Sequence, residues 1–302
     1  MANIIPQPKV KLHSAMDENG ARYFIDTTTR NMSFLQTAAD LKKLGIKNNM
    51  FFLKLYDRNL VGVDPFSSSL SREQKDRVSY ECMNNIYYFL RECVRIPEQG
   101  GATGPGSGSA FILHRGNLSA AWCFDHNIDF YLVIPRQCYK TMSLLAMENW
   151  AYLFGTSNSR FNFVSKTHKD CDDNLMTLKD QKDSLPLFMQ EKYTYDYGSY
   201  TISGELKKIT GTNNVRCITN PVTKNRIDSK PSALNEAAAY ALGRGNSAPM
   251  QFYDEVEFTP YIGTILKASG PAYYRAAMNA ERNEAAHIRM LSSTPRHTWE
   301  IA

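Results

Sequence analysis

Residues 129–141 constrain this chain more than any other stretch. An apolar, β-rich run from Phe130 to Ile134 meets a short polar loop that ends in Lys140-Thr141. The run is too short for an ordinary helix and too apolar for an exposed strand, so a buried strand of a parallel sheet is expected. After Thr141 the pattern turns helical, with Met142, Leu144, Leu145, Met147 and Trp150 along it. A strand, a polar turn carrying Lys-Thr and then a helix is the layout of a phosphate-binding loop. In such a loop the first N–H groups of the helix hold phosphate oxygens, Lys140 neutralises their charge, and Thr141 offers its hydroxyl to magnesium. The usual pattern has Gly just before the Lys, because the backbone must approach phosphate and adopt φ angles that a Cβ resists. Tyr139 stands there instead. Read alone, Lys140-Thr141 fits an ordinary helix N-terminus equally well.

With 302 residues the chain can bury one substantial core or two modest ones. A hydrophobic fraction of 43% and a charged fraction of 22% describe an ordinary soluble globular protein. The net charge of +5 permits a polyanionic partner without requiring one. The N-terminus has no apolar core of signal-peptide length, and no apolar run approaches the length of a membrane span, so an intracellular protein is expected. Cys82, Cys93, Cys123, Cys138, Cys171 and Cys217 are scattered without a C-x-x-C pair, which favours reduced thiols. The histidines are equally scattered, against the ligand spacing of a metal cage.

Along the chain, Asn19-Gly20 suggests a turn entering a strand, and a short helix is expected over 37–44. Phe51 to Tyr56 reads as an extended or apolar helical stretch. Ser71 and Gln74 have the capping-box form, and the apolar spacing from Val78 to Cys93 predicts one amphipathic helix over about 72–95. On that helix Tyr87 and Tyr88 are expected to serve packing rather than base stacking. The glycine-rich residues 99–109 lack a feeding strand and a following Lys-Ser/Thr pair, so they read as a flexible surface loop. A further helix ends near 125–127. Beyond the loop helix of 141–154, the pattern gives a strand over 161–165, a helix over 167–182, and an irregular or hairpin-like region over 190–230 with a strand at 215–219. An alanine-rich helix over 235–242 is closed by Gly243-Arg244-Gly245. Alternating strands and helices make a mainly parallel α/β sheet flanked by helices.

Two later strand ends, each ordinary when read alone, together tip the balance on what the loop is for. Met250 to Tyr253 is apolar and runs into Asp254-Glu255, which places two carboxylates at the carboxyl edge of the sheet, where ligands of open α/β sheets bind. There Asp254 would hold magnesium, directly or through water, and Glu255 would take the proton of an attacking water. About 115 residues separate this pair from Lys140, the spacing of a nucleotide hydrolase with one or two intervening strands. The apolar run from His287 ends in Ser292, Ser293 and Thr294, followed by Pro295. Such hydroxyls beside a phosphate loop can sense whether a γ-phosphate is present.

These motifs resemble those of the large terminase subunits of tailed double-stranded DNA bacteriophages, which are DNA-packaging motors. Pro135-Arg136-Gln137-Cys138-Tyr139-Lys140-Thr141 is similar to the family's deviant loop x-R-Q-x-G-K-T. Phe252 to Phe258 resembles its Walker B segment, and Ser293-Thr294-Pro295 its coupling motif. Asn117 lies where the family often carries an adenine-reading glutamine, and Arg244-Gly245 looks like the Arg-Gly often found before the Walker B strand; read without the resemblance, Asn117 fits a helix cap and Arg244 a helix-ending Gly-Arg-Gly turn equally well. The resemblance covers residues 81–302 as a P-loop ATPase domain of the ASCE type, with 1–80 as an N-terminal portion and the family's C-terminal nuclease domain absent.

The resemblance implies ATP hydrolysis with Mg2+, coupled to translocating double-stranded DNA into a procapsid. Pro135 to Thr141 and Asn117 would bind the nucleotide, and Arg136 would meet the γ-phosphate. Glu255 would act on the lytic water, Ser293 and Thr294 would couple, and Arg244 is a candidate arginine presented to a neighbouring subunit. Implied partners are DNA, the portal protein, the small terminase subunit and further copies in a ring, in the host cytoplasm at the procapsid. Two other readings stay open: a helicase-like P-loop motor, and a nucleotide-binding module that has lost turnover because of Tyr139. If the Tyr139 side chain crowds the loop, Tyr139→Gly tightens nucleotide binding.

Overall fold

Among the described residues, seven strands make the central sheet, in the spatial order Phe130–Val133, Ile288–Ser293, Met250–Tyr253, Arg160–Ser165, Arg226–Pro231, Cys217–Thr219 and Asn213–Asn214. The first five run parallel, and the last two add an antiparallel flap. The computed structural model describes residues 14–17, 20–46, 50–98, 100–194, 212–244 and 247–295. Asn19, Tyr195, Tyr197, Tyr200, Ile202 and Gly245 lie outside the described residues.

Because the five strands are parallel, their carboxyl ends share one edge of the sheet. The phosphate-type loop, Asp254-Glu255 and Ser293-Thr294 are therefore neighbours there, although the first and last are separated by more than half the chain. Two parallel strands, Arg160–Ser165 and Arg226–Pro231, intervene in sequence between loop and carboxylates. In space a single strand, Ile288–Ser293, separates the loop strand from the carboxylate strand.

The loop strand corrects one expectation. Phe130–Val133 is a sheet edge, with Tyr131 46% and Val133 40% exposed. An apolar run records a preference to leave water, and it does not record whether both sides of the ladder are filled. The helix that follows, Lys140–Trp150, is by contrast enclosed, and Leu144, Leu145, Ala146 and Met147 are fully buried. Burying each of the larger side chains is worth roughly 1.5–3 kcal/mol, and Phe163 against Phe252, with ring centroids 4.8 Å apart, continues the core through the sheet.

The N-terminal part shares its apolar core with the sheet. The boundary expected near residue 80 falls inside helix Arg72–Asn84. Phe34, Phe52 and Val78 share one hydrophobic core with Leu144 and Phe252. Asn31 Nδ2 donates to Phe111 O at 2.8 Å, and Trp150 Nε1 donates to Cys82 O at 2.7 Å. Ser71 and Gln74 form the capping box read from sequence. The single helix expected over 72–95 instead breaks at Asn85, whose φ of −148° is extended. Its side chain caps Tyr88 N, and a π-helical turn, Phe89–Cys93, follows. Tyr87 and Tyr88 are buried, so packing is their use. The glycine-rich loop closes on itself: Ser109–Ala110 pairs with Arg95–Ile96, and a Cβ on Gly108 would stand 2.4 Å from Ile96 O.

The longest helix, Ile262–Arg282, lies between the carboxylate strand and the final strand. It packs closely on helix Glu236–Arg244 at Gly243, where a Cβ would come within 2.6 Å of both Ile265 O and the Ala268 Cβ. Gly243 is thus a packing residue within the helix rather than its terminator. Gly243→Ala is expected to destabilise the protein by about 1–3 kcal/mol, because backbone must shift to admit one methyl group. Urea unfolding checks this, and an unchanged midpoint would contradict the close approach. Among the described residues no helix is long and apolar enough to cross a membrane.

Candidate active site at the carboxyl edge

The loop solves its missing glycine with backbone conformation. Tyr139 has φ 54° and ψ 21°, the left-handed geometry that a glycine supplies, and Gln137 has φ 62°. For a non-glycine residue this costs roughly 1–2 kcal/mol. Lys140 then starts the helix, and Ser143 N donates to Tyr139 O at 2.8 Å as its first turn. The Tyr139 ring is 41% exposed and forms part of the cleft wall. Since the backbone already takes the required turn, Tyr139→Gly is expected to change stability by less than about 1 kcal/mol, strain relief being offset by unfolded-state entropy. Tyr139→Val, β-branched and poorly suited to positive φ, is expected to lower the melting temperature more than Tyr139→Gly. The reverse order would show that φ is not what this position selects.

His114 braces the loop from beneath. Its Nδ1 accepts from Gly116 N at 3.1 Å and Asn117 N at 3.4 Å, so the ring proton belongs on Nε2, which donates to Cys138 O at 2.8 Å. Asn117 completes this capping box by accepting from His114 N at 2.7 Å, and its Nδ2 donates to Ile112 O and Ser143 Oγ. It is fully buried and does not line the cleft. The expectation that Asn117 meets a base is therefore corrected: its polar atoms are spent on the helix start and on Ser143.

The other expected residues converge. Lys140 Nζ donates to Glu255 Oε1 at 2.7 Å and stands 3.9 Å from Asp254 Oδ1. Thr141 Oγ1 lies 3.2 Å from Asp254 Oδ2. Glu255 is turned into the site by its own φ of 52°. Its Oε2 accepts from Thr294 N at 3.0 Å and Thr294 Oγ1 at 2.9 Å, with Ser293 Oγ at 3.4 Å. The final strand thus grips one oxygen of Glu255 and Lys140 the other. Burial alone would raise the Glu255 pKa, but the Lys140 and Thr294 bonds outweigh it and hold the carboxyl below its ordinary value. Asp254, 6% exposed, goes the other way: burial lifts it, against the pull of Ser292 and Lys140.

A cleft of about 950 Å³ opens over these groups. Pro135 to Thr141 form one side of it, including Arg136, which is exposed and makes no hydrogen bond or ion pair among the described residues. Helix His168–Asp183 forms the other, presenting Asp170, Asp173 and Asn174, with Lys166 and Phe258 beside them. Sequence reasoning missed this wall, and it missed the 2.7 Å bond from Ser292 Oγ to Asp254 Oδ1. Arg244 lies elsewhere. It ends a helix just before the amino end of strand Met250–Tyr253, at the opposite edge of the sheet, and stacks on Tyr240 at 4.2 Å.

Among the described residues no group of three or more His, Cys, Asp or Glu side chains is arranged to hold a metal. Thr141 and Asp254 supply a different donor set, a hydroxyl and a carboxylate in contact. Hard oxygen donors of this kind, few in number and open to the cleft, fit Mg2+, which keeps several waters and shares itself with phosphate. No protein-family profile and no curated protein matches this chain.

Proposed function

We propose that this chain is a P-loop ATPase of the ASCE type, the motor part of a terminase large subunit that moves double-stranded DNA into a procapsid. The observation that carries this reading is the meeting of Lys140, Thr141, Asp254 and Glu255 at one sheet edge, with Lys140 Nζ 2.7 Å from Glu255 Oε1. The strand order supports it as well, since Ile288–Ser293 is inserted between the loop strand and the carboxylate strand. The left-handed Tyr139 supports it too, because the loop attains its turn without glycine.

In this reading the first N–H groups of helix Lys140–Trp150 and the Lys140 ammonium bind the triphosphate, and Lys140 leaves Glu255 to do so. Freed on Oε1 and still held on Oε2 by Thr294, Glu255 accepts the proton of the attacking water. Arg136 neutralises charge developing on the γ-phosphate. Thr141 and Asp254 would hold Mg2+, which would supply charge screening of the phosphate oxygens. Release of phosphate is felt at Ser293 and Thr294, which share Glu255 with the site. Portal protein, small terminase subunit and further copies of this chain are the proposed partners in the host cytoplasm, with Arg244 offered to a neighbouring copy.

Phosphate release from ATP, measured for the wild type beside Lys140→Ala, tests the proposal. A wild-type rate that Lys140→Ala lowers by about 100-fold or more is expected. Equal release from both would sink the enzymatic reading.

A further inference from the structure

Asp254 is gripped from the side away from the loop by a residue to which the motifs give no role. Asn174 Nδ2 donates to Asp254 Oδ2 at 3.3 Å and to Ser165 Oγ at 3.2 Å. Asn174 belongs to helix His168–Asp183 and Ser165 ends strand Arg160–Ser165, so this bond ties the far cleft wall to the carboxylate. On the other oxygen, Ser292 Oγ donates to Asp254 Oδ1 at 2.7 Å. Each carboxylate oxygen has two lone-pair directions. Asn174 and Ser292 occupy one on each, which turns the remaining pair towards Thr141 Oγ1, at 3.2 and 3.4 Å.

We propose that Asn174 is a positioning residue: by holding Oδ2 it fixes the plane of the Asp254 carboxylate so that its free lone pairs and the Thr141 hydroxyl face one cation. This rests on the nucleotide reading above. Residues that orient a metal ligand in this way typically change metal affinity 10–100-fold when removed. Asn174 is only partly buried, at a helix position with Asp170 one turn before it, so its replacement disturbs little packing.

The test is Mn2+ binding to the full chain in the presence of ADP, followed by electron paramagnetic resonance, with ADP binding in EDTA as the metal-free control. Asn174→Leu keeps the size and removes the donor. It is expected to weaken Mn2+ binding about tenfold while leaving metal-free ADP binding and the melting temperature near wild type. Asn174→Ala should show the same weakening, which separates the lost donor from any clash of the leucine. If both variants bind Mn2+ within about twofold of wild type, the positioning role is overturned and the nucleotide site stands. If the wild type itself takes up neither ADP nor Mn2+, the nucleotide reading fails and this inference falls with it.

Discussion

Glu255→Gln is expected to lower phosphate release by at least about 100-fold, the lower end of what a positioned general base contributes, while ATP still binds. The substitution preserves shape, and Thr294 N and Oγ1 can still donate to the remaining carbonyl oxygen. On the proposed reading, what is lost is the acceptor for the water's proton. The amide also turns its NH2 group towards Lys140, where the carboxylate now accepts at 2.7 Å. With its resting partner gone, Lys140 no longer has to be withdrawn from an ion pair when phosphate arrives, so ATP binding should tighten by about fivefold, or ~1 kcal/mol. Equilibrium binding and single-turnover hydrolysis measured on the same preparation check both halves. A variant that hydrolyses at the wild-type rate would remove Glu255 from the chemistry. The ion pair also carries a pH signature. Because the folded Glu255 pKa lies below its ordinary 4.5, the pair's contribution to stability is present above that value and is lost as pH falls through the folded one.

Stability should fall steadily between about pH 5 and 8 because of Glu148, and Glu148→Gln should flatten that slope. Glu148 lies in the enclosed helix Lys140–Trp150, is 1% exposed, and its Oε2 has no hydrogen-bond partner among the described residues. Burial pushes its pKa from an ordinary 4.5 up to about 8. The folded protein therefore holds the proton more tightly than the unfolded chain. Its stabilising contribution is complete below pH 4.5 and is used up as pH rises through about 8. At 1.36 kcal/mol per pH unit between the two values, the effect approaches ~5 kcal/mol. Urea unfolding of the two proteins at pH 5, 7 and 8.5 measures it. Parallel curves would show that Glu148 finds a partner or water that keeps it ionised.

Much of the site was legible because its parts sit at strand ends, where an apolar run stops abruptly at polar residues. Asp254, Glu255, Ser293 and Thr294 announced themselves in this way, and parallel pairing then required them to meet. Asn174 had no such signal. It sits inside a helix whose visible pattern, Cys171, Leu175 and Leu178, describes packing, and the polar cluster Asp170, Asp173 and Asn174 looks like any solvated face. Ser292 was hidden because neighbouring hydroxyls on a strand point to opposite faces, and sequence alone does not say which face meets the carboxylate. Helix Ile262–Arg282 is not legible in its local pattern. Its period is present in Ile265, Ser269, Tyr273, Ala277 and Ala280, but Gly263, Gly270 and Pro271 argue locally against a helix. Tertiary packing on Gly243 and Tyr253 overrides that local preference. Tyr139 teaches the opposite caution: a motif's glycine stands for a φ angle, and another residue can supply it at a modest cost.

The edge position of Phe130–Val133 sets the order in which the site can come into being. Among the described residues its ladder partner is Ile288–Ser293, the last strand of the sheet. During synthesis at about 5–20 residues per second, the loop strand therefore waits on the order of ten seconds or more after it is made before that partner exists. Until then Asp254 lacks Ser292 and Glu255 lacks Thr294. Contacts that bridge so much sequence are also slow to form by chance. A nascent chain can thus pack its N-terminal helices early, while the cluster of Lys140, Thr141, Asp254 and Glu255 gains its Ser292 and Thr294 contacts only in a single late step, when the final strand slides between the loop strand and the carboxylate strand.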